Sequence, residues 1–246
     1  MMAGFAGRWA DSIGTAGSQI VRTVAETVAE TVLADDCPVC ETAMHDPSGG
    51  VCGSCWQDLA MGRWGHAARV ENPGRGIASL TTLGPYEGKL RRLVRAMKFS
   101  GLAGAGLPLG KLIGLHFVGN GNAIDGVVAV PLHWRRRWSR GYNQAACVAA
   151  GVGAVIGLPL EARGLRRRRS TRTQTGRDRK ERIANMREAF VARRDRFKGK
   201  RLVLVDDVVT TGATLRACAR ALLAAGAASV HAAAAARAAS PGAPRP

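Results

Sequence analysis

The stretch LVLVDDVVTTGAT, Leu202 to Thr214, decides the fold of this chain. Its first four residues form a short apolar run, which is typical of a buried strand in a parallel sheet. Asp206 and Asp207 stand at the end of that strand, and the following small residues lead into a helical pattern. Ligands of open α/β sheets bind at the carboxyl ends of strands, where loops lead into helices. The stretch therefore predicts a ligand site of an α/β protein.

The residues of this loop suit a phosphate group beside a divalent cation. Small side chains let backbone N–H groups converge on an anion at the positive end of a helix. Threonine hydroxyls donate further hydrogen bonds, and two adjacent carboxylates are stable beside hydroxyl donors or a cation. A turn that only caps a helix is the alternative. The predicted phosphate ligands are Thr210, Thr211, Gly212, Ala213 and Thr214.

A P-loop ATPase is the rival class of nucleotide-binding protein that has an acidic strand. That class needs a G-x-x-x-x-G-K-[ST] loop upstream of the acidic strand. The chain has no such loop, and Gly84 to Leu90, with the sequence GPYEGKL, does not fit the pattern. The sequence excludes this class.

Strand and helix patterns alternate on either side of the loop. Strands are predicted at Ser79–Leu83, Ile124–Val130, Phe190–Ala192 and Ser229–Ala235, and helices at Lys89–Phe99, Leu107–Phe117, Asn143–Ala150 and Thr214–Ala225. This order predicts an α/β domain over residues 77–238, with a mostly parallel sheet flanked by helices. Residues 62–76 are predicted to be a linker, residues 1–35 to contain an amphipathic helix, and residues 239–246 to be disordered.

A cysteine cluster precedes this domain. Cys37-x-x-Cys40 and Cys52-x-x-Cys55 form a four-thiolate pattern that suits tetrahedral zinc. We expect a structural Zn²⁺ module over residues 36–62, with unmetallated thiols as the alternative. Cys147 and Cys218 lie in apolar helical patterns and are predicted to be core thiols.

The chain is strongly basic, with 36 Lys and Arg against 18 acids and a formal net charge of +18. Such a charge attracts polyanions, nucleic acid above all, although a solvated basic surface is the alternative. Residues 163–182 hold ten Lys or Arg, and residues 134–142 interleave arginines with Trp and Tyr. Arginines there can compensate phosphates while aromatic faces stack on bases, or they can hold pyrophosphate alone. The candidates include Arg135, Trp138 and Arg169.

The sequence predicts a cytoplasmic protein that does not insert into a membrane. Its apolar stretch from Ala145 to Leu160 is too short for a bilayer and is broken by Pro159. The first twelve residues include Arg8 and Asp11 and do not match a secretory signal peptide.

Several segments together resemble the ComF family, whose members belong to the type I phosphoribosyltransferase superfamily and include competence proteins. VDDVVTTGATL is similar to the ribose-phosphate signature of that superfamily. PLHWRRRWSRGYNQA, from Pro131 to Ala145, resembles a P-L-h…R-G-[FY]-N-Q segment. A T-x-x-Q…R-x-x-N…AF segment is matched through Gln174, Arg182, Asn185 and Phe190, and the family's earlier Tyr and Lys-Phe through Tyr86 and Lys98-Phe99.

The resemblance implies a type I phosphoribosyltransferase fold that binds phosphoribosyl pyrophosphate with Mg²⁺. Asp206 and Asp207 would be the catalytic pair, binding the ribose hydroxyls directly or through Mg²⁺. Thr210 to Thr214 would hold the 5-phosphate. The loop from Pro131 to Asn143, with Arg140 and Asn143, would face the pyrophosphate, and residues 163–182 would form a flexible hood.

Two functional hypotheses follow from these features. The first is a phosphoribosyltransferase whose partner is phosphoribosyl pyrophosphate or a related nucleotide. The second is a protein of natural competence that handles single-stranded DNA and uses the fold as a non-catalytic platform. A salvage enzyme for a free base is less favoured, because the sequence identifies no base-specific pocket.

Overall fold

The computed structural model describes residues 36–44, 50–74, 76–118, 123–132, 141–167 and 189–239. The strands of these residues are β1 (Ala68–Gly74), β2 (Ile77–Pro85), β3 (Gly126–Ala129), β4 (Leu165–Arg167), β5 (Phe190–Ala192), β6 (Arg201–Val209) and β7 (Ser229–Arg237). The α-helices are α1 (Gly53–Ala60), α2 (Gly88–Phe99), α3 (Gly106–Val118), α4 (Gln144–Ile156), α5 (Arg194–Phe197) and α6 (Ala213–Ala224). A 3₁₀ turn at Ala103–Ala105 precedes α3.

The main sheet has five strands in the order β1-β2-β7-β6-β3. Strands β2, β7, β6 and β3 are parallel, and β1 joins β2 in antiparallel orientation. Strands β4 and β5 form a separate antiparallel pair. The carboxyl ends of the four parallel strands meet at one edge, and Val130, after β3, donates its N–H to Val205 O of β6 at 2.8 Å. In open α/β sheets, ligands bind at this edge.

Helices cover both faces of the sheet, as the α/β prediction requires. Along β6, Val203 and Val205 belong to the apolar cluster of one face, and Leu202 and Leu204 to that of the other. Both clusters are buried, which explains why this strand reads as a continuous apolar run in the sequence. The first cluster contains α2, α3 and α4, and the second contains α6 and the β4–β5 pair.

The predicted linker at residues 62–76 is wrong, because β1 lies there and pairs with β2 from Ala68↔Thr82 to Gly74↔Ile77. Most of β1 is exposed or half-buried at the edge of the sheet, so its residues, such as Glu71 and Asn72, carry no apolar periodicity. The predicted N-terminal helix lies outside the described residues.

Helices α3 and α4 cross in close contact at glycines. A Cβ atom added at Gly110 would lie 1.9 Å from Val148 O, and one at Gly151 would lie 2.2 Å from Leu107 O. Both neighbours are backbone atoms, so no side chain can rotate away to make room. The separation of the two helices therefore depends on the absence of side chains at these positions.

Replacing Gly110 by alanine is expected to lower the free energy of unfolding by about 2 kcal/mol or more, because α3 and α4 must move apart to accept the methyl group. Urea denaturation measures the change. The matched control is Gly104→Ala, since an added Cβ at Gly104 meets no atom within 4 Å. Equal stability of the two variants would contradict the close crossing.

Candidate phosphate and metal sites

Asp206 and Asp207 lie within β6, which continues to Val209 and so extends past the strand predicted from the sequence. The Asp206 carboxylate accepts a hydrogen bond from the Asp207 backbone N–H at 2.9 Å. Burial, together with the neighbouring negative charge of Asp207, raises the pKa of Asp206 to about 7. The protein thus disfavours full ionisation of the pair.

Lys98, in the last turn of α2, partly balances this pair. Its Nζ lies 3.2 Å from Asp207 Oδ1, and the two side chains are 18% and 14% exposed. The same ammonium group lies 6.0 Å from the centre of the Tyr86 ring, which follows β2. Sequence reasoning treated Tyr86 and Lys98 only as family matches, and it missed that Lys98 contacts Asp207 and that Tyr86 lies beside Lys98.

The backbone carbonyl of Met97, next to Lys98, anchors the turn that precedes α4. Tyr142 donates its hydroxyl hydrogen to Met97 O, and Gln144 Nε2 donates to the same oxygen at 3.4 Å. Asn143 Nδ2 donates to Val130 O at 3.1 Å, at the end of β3. The buried side-chain oxygens of Asn143 and Gln144 have no partner among the described residues. Asn143 therefore offers a buried acceptor at the carboxyl edge of the sheet.

The predicted phosphate loop is open to solvent. Thr210, Thr211 and Thr214 are exposed, and Gly212 caps α6 in the left-handed conformation at φ 67°. The Thr211 hydroxyl accepts a hydrogen bond from the Ala213 N–H at 3.4 Å. The loop thus presents hydroxyls at the positive end of a helix, which is an arrangement that suits an anion.

The structure places several sequence-predicted site residues at the same edge of the sheet: Asp206, Asp207, Thr210, Thr211, Gly212, Ala213, Thr214 and Asn143. The other candidates, Arg135, Trp138, Arg140, Arg169, Gln174, Arg182 and Asn185, lie outside the described residues.

The four cysteines of the predicted zinc module form one cluster. The sulfur atoms of Cys37, Cys40, Cys52 and Cys55 all lie within 4.8 Å of one another. Tetrahedral zinc with Zn–S bonds of about 2.3 Å separates its sulfurs by roughly 3.8 Å. Hydrogen bonds with Thr42 lower the pKa of Cys40 to about 6, which favours its thiolate, whereas burial raises the pKa of Cys55. The donor set and spacing therefore fit a metal ion such as zinc.

The cysteine cluster is joined to the rest of the protein through α2. Buried residues around it, including Val39, Val51 and Leu59, share one apolar cluster with Leu90 and Leu93 of that helix. Arg92 of α2 donates to Val39 O at 3.1 Å and to Glu41 Oε1 at 3.0 Å. The same helix therefore contacts the cysteine module at one end and the acidic pair at the other.

The remaining two cysteines lie apart from this cluster. Cys218 of α6 is fully buried, and burial raises the pKa of its thiol. Burial also raises the pKa of Cys147 in α4. Cys218 is therefore a core thiol, as predicted, whereas Cys147 is only half-buried.

The raised pKa of Asp206 has a consequence for stability. Because the folded protein holds the proton more tightly than the unfolded chain, this group stabilises the fold at pH below about 4 and loses that contribution as pH rises towards about 7. Asp206→Asn is expected to remove this dependence, so the variant gains stability relative to the wild type between pH 4 and 7. Urea denaturation across this range without divalent cations measures it. A constant difference between the two proteins would contradict the expectation.

No helix among the described residues is long and apolar enough to cross a membrane.

One family model matches the carboxyl-terminal part of the chain. The model described as "Phosphoribosyl transferase domain" matches residues 155–245, a range that contains β6, the acidic pair, the loop and β7. Together with the strand order and the loop at the carboxyl edge, this match defines a protein with a phosphoribosyltransferase fold.

Similar proteins with curated names indicate which kind of phosphoribosyltransferase-fold protein the chain resembles. The "DNA utilization protein YhgH" of Escherichia coli O157:H7 is 29% identical over 215 residues, which cover 74% of this chain and 94% of the relative. "Competence protein F" of Haemophilus influenzae is 37% identical over 93 residues, covering 37% of this chain and 41% of the relative. The domain match and these relatives support a ComF-family, phosphoribosyltransferase-like protein.

Two solved structures overlap partially with this one. An allosteric regulatory enzyme of purine biosynthesis matches with a TM-score of 0.40 and 28% identity, over 54% of this chain and 26% of that chain. Glutamine phosphoribosylpyrophosphate amidotransferase from B. subtilis matches with a TM-score of 0.38 and 27% identity, over the same shares.

Proposed function

We propose that the carboxyl edge of the sheet binds phosphoribosyl pyrophosphate together with Mg²⁺. The observation that carries the proposal is the continuity of β6, the loop and α6, which sets two carboxylates directly before a threonine-rich anion loop. A cation beside Asp206 and Asp207 would relieve their mutual repulsion, and an anion at the loop would meet the start of α6. A ligand that carries both ribose hydroxyls and phosphates suits this combination.

Each group of residues has a distinct role in the proposal. Asp206 and Asp207 bind the ribose hydroxyls, directly or through the metal. Thr210, Thr211 and Thr214, with the backbone at Gly212 and Ala213, hold the 5-phosphate. Arg140 and Asn143 would bind the pyrophosphate, and the buried Asn143 oxygen leaves a polar atom without a partner at this edge. Bound Mg²⁺ would supply positive charge that stabilises the phosphate oxygens.

The proposed activity is phosphoribosyl transfer. The bond between C1 of the ribose and the pyrophosphate oxygen breaks, the electron pair leaves with pyrophosphate, and an acceptor nucleophile bonds to C1. The acid pair would hold the ribose while positive charge develops on the ring. Pyrophosphate release from phosphoribosyl pyrophosphate, screened against candidate acceptors, measures this activity.

Binding is tested separately by titration calorimetry with phosphoribosyl pyrophosphate, ribose 5-phosphate and pyrophosphate, each with and without Mg²⁺. We expect the complete ligand with Mg²⁺ to bind more tightly than either fragment. The acidic pair and the threonine-rich loop would then bind one molecule together. Failure of the complete ligand to bind with Mg²⁺ present would refute the proposed site.

A second candidate function is the handling of single-stranded DNA. The formal net charge of +18 and the names of the relatives, DNA utilization protein and Competence protein F, favour it. Affinity for a single strand should then fall steeply with salt, and replacing Trp138 and Arg163 to Arg169 should weaken it. DNA affinity that is insensitive to salt and to these changes would refute this function.

A further inference from the structure

Helix α2 carries five cations and no acid, and three of these cations form ion pairs. Lys89 lies 3.4 Å from Asp58 of α1, and Arg92 lies 3.0 Å from Glu41 of the cysteine module. These two cations hold neighbouring parts of the protein together. The cations on this side of α2 are therefore already paired with carboxylates of the protein.

Two further cations of α2 and a phenylalanine are exposed along another face of the helix. Arg91, Arg95 and Phe99 follow one another at intervals of four residues, which places them in a row along one face. Both arginines are exposed, and neither forms an ion pair with a carboxylate of the described residues. Phe99 is 71% exposed, the largest value among the exposed large apolar side chains that the structure describes. We call these three residues the basic row.

Two residues of the basic row contact each other, and the row ends near the acidic pair. The Arg95 guanidinium carbon lies 5.9 Å from the centre of the Phe99 ring, within the range of a cation–π interaction. At a rise of 1.5 Å per residue, the row extends about 12 Å along the helix, comparable to roughly three nucleotide steps of one strand. It ends next to Lys98, whose ammonium contacts Asp207. The row therefore leads to the acidic pair.

We propose that the basic row is a docking surface for single-stranded nucleic acid, with phosphates at Arg91 and Arg95 and a base stacked on Phe99. The chemistry favours this partner over others: a duplex keeps its base faces stacked inside, and an acidic peptide gains little from an exposed aromatic ring beside stacked guanidinium. The proposal rests on the second candidate function and assigns it a site outside residues 134–142 and 163–182.

The test is the affinity of the full chain for a fluorescently labelled single-stranded oligonucleotide, measured by anisotropy at several salt concentrations. Arg91→Gln with Arg95→Gln should weaken binding about tenfold and reduce the salt slope by about 1.4, since each phosphate contact of a single strand contributes about 0.7. Phe99→Ala should weaken binding about tenfold through lost stacking, while Phe99→Trp should retain it.

The matched control is Arg194→Gln with Arg196→Gln in α5. These two arginines are also exposed, but α5 precedes β6 and so lies towards the amino ends of the parallel strands. The control variant should keep the wild-type salt slope. Circular dichroism and thermal unfolding establish that every variant is folded, and titration with phosphoribosyl pyrophosphate establishes that the acidic pair still works.

The outcomes separate this proposal from the function on which it rests. A wild-type chain that does not bind the oligonucleotide refutes both. A wild type that binds while the arginine variant and Phe99→Ala bind equally well refutes the basic row and leaves the DNA-handling function standing. Competition by polyglutamate as effective as that by the oligonucleotide, or no loss on Phe99→Ala, also overturns the proposed docking of a base.

Discussion

Replacing both Asp206 and Asp207 by asparagine is expected to weaken binding of phosphoribosyl pyrophosphate with Mg²⁺ by at least about a hundredfold, since two hydrogen bonds to charged groups contribute about 1.5–3 kcal/mol each. Asparagine keeps the size of each side chain but cannot supply a negative charge to the cation. Calorimetric titration in Mg²⁺ buffer measures the loss.

The variant should remain folded, because it removes the repulsion that raises the pKa of Asp206. The matched control is Asp125→Asn with Asp195→Asn. Asp125 pairs with Arg201 at the opposite end of β6 and Asp195 with Arg193, both at exposed positions where ion pairs contribute little. Equal affinities of the wild type and the Asp206/Asp207 variant would rule out the acidic pair as the ribose and metal site.

Loss of the metal from the cysteine cluster is expected to lower the melting temperature by about 6–12 °C, the equivalent of about 3 kcal/mol for a chain of this size. The effect extends beyond the module, because its buried residues share one cluster with Leu90 and Leu93 of α2. Cys37→Ser with Cys40→Ser tests this expectation through metal analysis and thermal unfolding.

The control for that experiment is Cys147→Ser, which changes a cysteine outside the cluster. We expect the wild type and this control to bind one zinc ion per chain, and the Cys37/Cys40 variant to bind none. Purified wild-type protein without metal, or a Cys37/Cys40 variant with unchanged metal content, would show that the cluster is a set of free thiols.

The fold was predictable where apolar residues follow a clear period. Lys89–Phe99 was predicted as a helix and forms α2 with one residue more, and the buried run at Leu202 to Val205 forms the first part of β6. In both cases, residues buried against the core carry the signal. Strand β1 was missed for the opposite reason: none of its residues is fully buried, with Arg69 half-buried and Glu71 exposed, so no apolar period results.

The candidate site was only partly predictable. The acidic pair and its loop lie in one continuous stretch, so their spacing alone predicts a site for a phosphate and a cation. Lys98 lies more than a hundred residues earlier in the chain than Asp207, and Met97 is 45 residues from Tyr142. Contacts across such separations depend on how α2 packs over the sheet, which no local pattern of a single sequence records. The roles of Lys98 and Met97 therefore required the structure.

The position of β7 determines when this protein can fold during its synthesis. This strand lies between β2 and β6, although it follows both in the chain, so the sheet is divided until the ribosome has released Ser229–Arg237. Until then β2 and β6 each expose an unpaired edge, and closing the sheet requires contacts between residues about 150 positions apart, such as Leu80↔Ala232. A chain that has not yet paired β7 therefore exposes strand edges that favour aggregation.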